Sequence, residues 1–287
     1  MLIDERHIRY QRSSEVNESF IHQAFLKGFS DYIVKMEISE EDFLKRFFGP
    51  EGNKAETSFI AFYKEEPAGV ILGGIKNYET IKTMRCGALA ISPEYRGTGI
   101  SQRLFELHKD EAIKHGCKQL FLEVIVGNDR AINFYKKLGY EKIYDLVYFT
   151  NEDLSQFKNA NTVCDIKKIN FEDFQSRVAN WSYHINWQND IDYLKEIPTI
   201  HYYVAFQNGG VAGYLAINPI GNIHFLMIDK NFRGKGIGRQ LLKTASTELS
   251  LTKMSTGFPN NSLLEGFLKK LGFTKGTLAQ YEMYRIL

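Results

Sequence analysis

Three blocks of this 287-residue sequence occur twice and in the same order, and this internal repeat limits the fold more than any other feature. The paired blocks are residues 60–69 with 204–213, 96–105 with 233–242, and 134–140 with 267–273. Their offsets of 144, 137 and 133 residues shrink gradually, as expected when two copies of one domain differ by short deletions in loops. Because a repeat of this kind marks repeated structural units, we predict two copies of one domain in tandem.

The boundary between the two copies is predicted near residues 150–162. The segment 151–162 is polar and has no hydrophobic periodicity, which is typical of a linker. The predicted domains are therefore residues 1–150 and residues 163–287. Two domains also agree with the chain length, at roughly 150 residues per domain.

Each copy alternates helical and strand patterns. In the first copy, helices are predicted over 17–29, 40–48, about 100–114 and 129–137, and strands over 58–63, 68–75, 86–91, 119–126 and 142–149. Strands that alternate with helices indicate α/β architecture. We predict that each domain is a mixed, mostly antiparallel β-sheet flanked by helices.

Composition excludes several classes of protein. The net charge of +2 gives no electrostatic reason to expect nucleic acid as a partner. No run approaches the roughly 18 apolar residues of a membrane span, and the charged N-terminus is unlike a signal peptide. The three cysteines, Cys86, Cys117 and Cys164, are widely spaced and indicate neither a disulfide framework nor a metal site. These features favour a cytoplasmic protein that acts without metal and binds neither nucleic acid nor membrane.

A glycine-rich loop between a strand and a long helix is the most informative local motif. It has the sequence Arg-Gly-Thr-Gly-Ile-Ser at 96–101 and Arg-Gly-Lys-Gly-Ile-Gly at 233–238. Glycines let backbone N–H groups approach an anion, and the helix N-terminus adds unpaired donors and the positive end of its dipole. The spacing matches neither a Walker A loop nor a GxGxxG fingerprint. A pyrophosphate is therefore the predicted ligand, and a plain helix start with turn glycines is the alternative.

Together with a second motif downstream, this loop resembles the GNAT superfamily of acetyl-CoA-dependent N-acetyltransferases. The downstream motif supplies Asn128, Ala131 and the run Phe134–Tyr140 in the first copy, and Asn261 and the run Phe267–Phe273 in the second. The resemblance covers nearly the whole chain. It is specific for fold and co-substrate and says little about the acceptor.

The resemblance implies where acetyl-CoA binds. Backbone amides of the two loops would hold the pyrophosphate, the strand before each loop would hold the pantetheine, and Asn128 would contact the CoA arm. Amides of that strand would also stabilise the oxyanion of the acetyl carbonyl. The residues so implied are Leu89, Ala90, Ile91, Arg96, Gly97, Thr98, Gly99, Ile100, Ser101 and Asn128, and, in the second copy, Leu226, Ile228, Arg233, Gly234, Lys235, Gly236, Ile237 and Gly238.

The resemblance also implies two catalytic residues in the first copy. Tyr135 would protonate the departing thiolate, and Glu123 would act as general base on the amine, often through water. Alternatives remain for both. Tyr135 is otherwise a core aromatic residue, and Glu123, in the apolar run Phe121–Ile125, either faces a water-filled cleft or pairs with a basic side chain.

The two copies differ at these catalytic positions. Leu268 stands at the place of Tyr135 and Thr256 at the place of Glu123, yet the loop that ends in Gly238 fits the family pattern better than the loop that ends in Ser101. We predict catalysis in the first copy and a CoA-binding or structural role for the second. The reverse assignment stays open, with Tyr281 or Tyr284 as substitute acids.

The sequence thus predicts an N-acetyltransferase that moves an acetyl group directly from acetyl-CoA to a primary amine in a ternary complex. Cys86 is the nearest candidate for a covalent intermediate, but a small buried hydrophobe is the stronger interpretation. The alternative function is a tandem module that binds acyl-CoA, with one or both sites inactive. The acceptor remains open among a protein N-terminus, a lysine, an aminoglycoside, a polyamine and a small metabolite, and the oligomeric state is a monomer or a homodimer.

Overall fold

The chain folds into two compact units. A computed structural model describes residues 4–157, 161–179 and 183–287. The first unit comprises Met1–Ile143 together with Tyr281–Leu287, and the second comprises Tyr144–Gln280. Packing and sequence repeat therefore divide the chain differently, because residues 144–150 belong to the second unit and residues 281–287 to the first. The repeat-based boundaries stay a prediction.

The segment predicted as a linker contains packed residues. Leu154–Phe157 forms one 3-10 turn, and Leu154 and Phe157 are buried in the core of the second unit. Residues 158–160 of the same segment lie outside the described part of the chain. Because residues 151–162 are mostly polar, the sequence did not predict that Leu154 and Phe157 pack into the core of the second unit.

The first unit has helices on both faces of its sheet. Its helices are α1 (Glu18–Gly28), α2 (Glu40–Phe47), α3 (Ile100–Lys114) and α4 (Asp129–Lys137), and its strands are β1 (Ile8–Arg12), β2 (Lys54–Tyr63), β3 (Glu66–Tyr78), β4 (Ile81–Ile91) and β5 (Gln119–Ile125). The strand order is β1-β2-β3-β4-β5, and every pair is antiparallel except the parallel pair β4 and β5. This confirms the predicted mixed, mostly antiparallel sheet flanked by helices.

The second unit repeats this plan. Its helices are α5 (Phe171–Val178), α6 (Ile191–Lys195), α7 (Ile237–Glu248) and α8 (Ser262–Lys270), and its strands are β7 (Asp165–Ile169), β8 (His201–Gln207), β9 (Gly210–Ile217), β10 (Asn222–Ile228) and β11 (Met254–Pro259). Two strands are divided between the units, β6 (Glu141–Asn151) and β12 (Thr274–Ile286). Strands β10 and β11 pair in parallel, as β4 and β5 do.

Side-chain caps and two apolar faces explain why these elements form. Asn17, Ser39 and Asn128 cap the N-termini of α1, α2 and α4 by accepting a hydrogen bond from a backbone N–H of the first turn. In the first unit, one core cluster packs against α3 and α4, and another packs against α1 and α2. The second unit has the same two clusters, against α7 and α8 and against α5 and α6.

Strand β1 is the element that the sequence patterns missed. It pairs antiparallel with β2 from Ile8 opposite Tyr63 to Arg12 opposite Phe59. Its arginines lie over rings of the neighbouring strand, Arg9 at 4.3 Å from the Phe62 ring centre and Arg12 at 4.9 Å from that of Phe59. Because long arginine stems cover apolar surface, a strand with charged residues escapes a search for apolar alternation. In the described ranges, no helix is long and apolar enough to cross a membrane.

His108 on α3 is fully buried, and among the residues that the structure describes neither of its ring nitrogens has a hydrogen-bond partner. Burial lowers the pKa of His108 from 6.5 to about 3. The folded protein therefore keeps the ring neutral, while the unfolded chain takes up a proton below pH 6.5. We expect stability to fall as the pH drops from 6.5 towards 3, by up to about 1.4 kcal/mol per pH unit from this group.

His108→Leu removes this pH dependence, because leucine has no ring nitrogen to protonate or to leave unpaired. Urea unfolding of both proteins at several pH values measures the effect. We expect the unfolding free energy of the variant to rise steadily, relative to that of the parent protein, as the pH falls below 6.5. A constant difference in unfolding free energy between pH 7 and pH 4 would show that folding does not lower the pKa of His108.

Candidate active site

The glycine loop of the first unit leads from β4 through one 3-10 turn, Pro93–Tyr95, into α3. Gly97 and Gly99 both adopt φ of +81°, and a Cβ built on either would have no atom within 4 Å. Gly99 is the N-cap of α3 and provides no side-chain cap. The first N–H groups of the helix are thus left without a side-chain acceptor, which fits a phosphate ligand.

The second unit builds the same loop before α7. Gly234 and Gly236 adopt φ of +77° and +85°, and Gly236 is an N-cap without a side-chain hydrogen bond. A Cβ on Gly238 would meet the Phe267 ring at 2.9 Å, so glycine is needed there for packing. In the first unit Ser101 occupies this place and lines the cavity described below. Ser101 therefore fits in the cavity wall, although the family pattern has glycine or alanine there.

The parallel strands in each unit separate before they end. Strand β4 pairs with β5 only from Thr83 with Gln119 to Cys86 with Leu122, although β4 continues to Ile91. Strand β10 pairs with β11 only at Asn222 and Ile223, and it continues to Ile228. The gap beyond each pair leaves strand amides that a pantetheine could bind.

A cavity of about 590 Å³ in the first unit collects most of the predicted residues. The cavity wall includes these residues of the predicted set: Leu89, Ile91, Arg96, Gly97, Ile100, Ser101, Asn128 and Tyr135. Among the described residues, Ala90, Thr98, Gly99 and Glu123 are not part of this wall. Ala90 packs against α1 and α2, and the Thr98 hydroxyl donates to the carbonyl oxygen of Tyr95 at 2.7 Å.

The loop between α1 and α2 forms a further wall of this cavity, which the sequence analysis did not foresee. Asp31 accepts hydrogen bonds from both terminal nitrogens of Arg96, at 2.5 and 2.6 Å. Arg96 also donates to the carbonyl oxygens of Ile91 and Gly28, so its side chain is used for structure and not for phosphate. The hydrogen bond from Arg96 lowers the pKa of Asp31 to about 2.

Tyr32, the neighbour of Asp31, lines the same cavity as Asn128. Asn128 also caps α4 by accepting from the N–H of Ala131 at 3.2 Å. Arg96, which the resemblance assigned to CoA, therefore holds the α1–α2 loop at the cavity. Asp31 carries no local sequence signal for this role, because its partner Arg96 lies 65 residues away.

We expect Asp31→Asn to loosen this loop, because the amide loses the charge-assisted bidentate pairing with Arg96. The pair is partly exposed, so overall stability should change by no more than about 1 kcal/mol. Hydrogen–deuterium exchange of residues 29–33 should become faster, and the KM for the acceptor should rise. Glu66→Gln, which removes an exposed ion pair with Lys27, is the matched control and should leave that exchange unchanged. Unchanged exchange in Asp31→Asn would contradict an anchoring role.

Tyr135 lies on α4 and lines the cavity, and its side chain is buried. Burial raises the pKa of Tyr135 well above 10, so the phenol stays protonated at neutral pH. The Cys86 thiol lies close enough to interact with this phenol, and burial raises the pKa of the thiol to about 12. The phenol is thus a protonated group beside the cavity, and Cys86 is a protonated thiol with little nucleophilic character.

Glu123 pairs with a basic side chain, one of the two alternatives that the sequence left open. Arg85 donates to Glu123 at 2.6 Å and to Glu51 at 2.7 Å, and all three side chains are buried. Burial by itself would lower the pKa of Arg85, but the two carboxylates raise it above its ordinary value. The structure therefore gives Glu123 a structural partner, and its role as general base stays a prediction.

The loop of the second unit borders a cavity of about 420 Å³. Its wall includes all but one of the residues predicted for this unit: Leu226, Ile228, Arg233, Gly234, Gly236, Ile237 and Gly238. The exception is Lys235, whose ammonium group lies 5.2 Å from the centre of the Phe232 ring. Leu268 and Thr256 are buried nearby, so no phenol or carboxylate stands where the first unit has Tyr135 and Glu123. Among the described residues, no cluster of His, Cys, Asp and Glu could hold a metal ion.

Family models match both units. The model of the Acetyltransferase (GNAT) family matches residues 20–140, and that of the Acetyltransferase (GNAT) domain matches residues 198–275. The fold and the loops define a tandem acetyltransferase architecture, and the chain belongs to the GNAT family of acetyltransferases. The predicted tandem GNAT organisation is confirmed.

Similar proteins include N-alpha-acetyltransferase 30 of two yeasts. The Schizosaccharomyces pombe protein is 30% identical over 132 residues, which cover 44% of this chain and 85% of that protein. The Saccharomyces cerevisiae protein is 34% identical over 67 residues, which cover 23% of this chain and 38% of that protein. The chain therefore spans well under two thirds of the second relative.

A solved structure with the same fold over its whole length is a tandem GNAT protein from the clavulanic acid biosynthesis pathway. The TM-score is 0.69 at 14% identity, and the alignment covers 97% of this chain and 98% of that chain. At this identity the likeness concerns the fold alone.

Proposed function

We propose that the protein transfers an acetyl group from acetyl-CoA to a primary amine, and that the first unit carries out the transfer. One observation supports this most. A single cavity of that unit brings together the uncapped N-terminus of α3, the gap between β4 and β5, and the buried phenol of Tyr135. These are an anion site, a set of strand amides and a proton donor, and all three border one cavity.

In this proposal, the residues of the chain bind and orient the reactants. The N–H groups at the start of α3 hold the pyrophosphate, and amides of Leu89–Ile91 hold the pantetheine arm. Acetyl-CoA supplies the acetyl group as a thioester. An amide of the separated strand donates a hydrogen bond to the thioester carbonyl oxygen and stabilises negative charge that develops there.

Tyr135 supplies the proton that the reaction needs at sulfur. The amine nitrogen forms a bond to the carbonyl carbon, the carbon–sulfur bond breaks, and the phenol protonates the sulfur that leaves. The amine loses one proton, which Glu123 would take if it acts as general base. Because Glu123 is held by Arg85, that role requires a relay through water, as the family resemblance implies.

The proposal is tested by incubating the full chain with radiolabelled acetyl-CoA and a panel of amines. The panel contains a peptide with a free N-terminus, a lysine peptide blocked at its N-terminus, a polyamine and an aminoglycoside. We expect labelled amide product with at least one of these classes. If CoA and acetyl-CoA bind but no amine in the panel is acetylated, the alternative of a binding module gains and the enzyme proposal fails.

Cys86→Ala distinguishes direct transfer from transfer through an acyl-cysteine. Direct transfer needs no nucleophile from the protein, so we expect kcat to change by less than about fivefold, well below the roughly 100-fold of a lost catalytic group. Intact-protein mass spectrometry after acetyl-CoA is added should show no acetylated cysteine in the parent protein. Loss of activity in Cys86→Ala together with such an adduct would support the covalent route.

A further inference from the structure

The loop cavity of the second unit adjoins another cavity, of about 300 Å³, which is called the inner cavity below and lies where β10 and β11 separate. Four residues line both cavities, namely Tyr183, Leu226, Asn261 and Leu264. A thioester whose pyrophosphate lay at the glycine loop would therefore direct its acyl group towards the inner cavity.

The wall of the inner cavity carries no Asp, Glu, Lys or Arg among its described residues. Its histidines are His184, which stacks on Tyr144 at 3.9 Å, and His224. Burial lowers the pKa of His224 to about 4, so this ring is neutral at neutral pH. An ammonium or carboxylate would lose its hydration here without meeting an opposite charge, and a neutral occupant is favoured.

Three polar side chains of this wall, those of Asn186, Asn189 and His224, form a hydrogen-bonded network. Asn189 donates to the carbonyl oxygen of Gly257 at 2.9 Å and to Asn186 at 2.8 Å. Because these acceptors fix the amide orientation, the Asn189 oxygen faces His224 and accepts from its Nδ1–H at 3.0 Å. An apolar occupant would therefore leave this network intact, at no cost in lost hydrogen bonds.

The second unit has neither a phenol nor a carboxylate at the two positions that correspond to Tyr135 and Glu123. Leu268 replaces the phenol of the first unit, and the Thr256 hydroxyl is already used, since it donates to the carbonyl oxygen of Ile223 at 2.9 Å. The cavity is also large for an acetyl group. At about 30 Å³ for each water-sized group, it holds roughly ten, several times the size of acetyl.

We propose that the inner cavity of the second unit binds the uncharged acyl chain of an acyl-CoA whose chain is several carbons longer than acetyl, and retains it without transfer. The inference rests on the proposed CoA site at the second glycine loop. It assigns that unit a ligand distinct from the acetyl-CoA used by the first unit.

The test measures binding to the second unit alone. In Ala131→Trp, the indole fills the first cavity at the position that corresponds to Leu264, and loss of acetyl transfer confirms that the first site is blocked. Isothermal titration calorimetry of this variant then compares CoA, acetyl-CoA, butanoyl-CoA and hexanoyl-CoA. We expect affinity to rise by about tenfold for each two added methylene groups.

A second substitution locates the chain. Thr256 lines the inner cavity and not the loop cavity, so Thr256→Phe should abolish the dependence on chain length and change CoA affinity by less than about threefold. Thr256→Val, which keeps the shape and removes the hydroxyl, should preserve the dependence. Thr256→Leu, a smaller plug, repeats the test if Thr256→Phe does not fold.

Four results would overturn the inference. Equal affinity for all four ligands means that the acyl chain is not bound. If affinity still depends on chain length in Thr256→Phe and in Thr256→Leu, the acyl chain binds elsewhere. Hexanoylated amine made by the Ala131→Trp protein contradicts retention. If CoA does not bind that protein at all, the second site fails, whereas acetyl transfer by the unmodified protein would still support the proposed function of the first unit.

Discussion

Replacing Tyr135 by Phe is expected to lower kcat by at least about 100-fold, the usual contribution of a positioned proton donor. The ring stays and keeps its buried packing, with ring centres 5.5 Å from Phe134 and 5.6 Å from Tyr140. Only the hydroxyl is lost, so the KM for acetyl-CoA should hardly change. Steady-state kinetics at saturating acceptor measure the effect.

Tyr140→Phe is the matched control for this prediction. Tyr140 is as deeply buried, and among the described residues its hydroxyl has no hydrogen-bond partner. It is not among the residues of the cavity wall, so its loss should leave kcat unchanged. Equal activity of Tyr135→Phe and the parent protein would show that the thiolate leaves without this phenol.

The pH profile adds an independent check on Tyr135. Because burial raises its pKa well above 10, the phenol remains protonated throughout the range in which the protein is stable. Tyr135→Phe should therefore reduce kcat by the same factor from pH 6 to pH 9. A loss that appeared only at alkaline pH would indicate a general effect on the site rather than a missing proton donor.

Local patterns predicted most of the fold because each element carries its own signals. The helix of Ile100–Lys114 was predicted from apolar residues four apart and from Gly116, which ends it. The repeat then extended these assignments to the second copy. The sequence patterns did not predict strand β1 or the packing of Leu154 and Phe157. The partners of these residues lie far away in the sequence, and their own segments are polar.

Only the parts of the candidate site that are formed by consecutive residues could be predicted. The loop Arg96–Ser101 is one short motif, and its conformation follows from its glycines. The pairings of Asp31 with Arg96 and of Glu123 with Arg85 join residues 65 and 38 positions apart. Nothing in the residues themselves indicates such partners, so the anchored loop was missed, and the environment of Glu123 was left open between a cleft and an ion pair.

Arg85→Met is expected to destabilise the protein by about 3–5 kcal/mol, the usual cost of removing one partner from a buried ion pair. Arg85 is 5% exposed and lies between the carboxylates of Glu51 and Glu123. Methionine fills similar space, but it leaves both carboxylates without this positive charge in a region of low dielectric. Urea unfolding followed by circular dichroism at pH 7 measures the loss.

Arg46→Met provides the control, since Arg46 lies 3.7 Å from Glu51 and its side chain is 61% exposed. An exposed pair of this kind contributes about 0–1 kcal/mol, so this variant should unfold almost as the parent does. Arg85→Met/Glu123→Gln should regain part of the stability, because a neutral amide costs less to bury than an unpaired carboxylate. A loss below about 1 kcal/mol in Arg85→Met would mean that water reaches these carboxylates and solvates them.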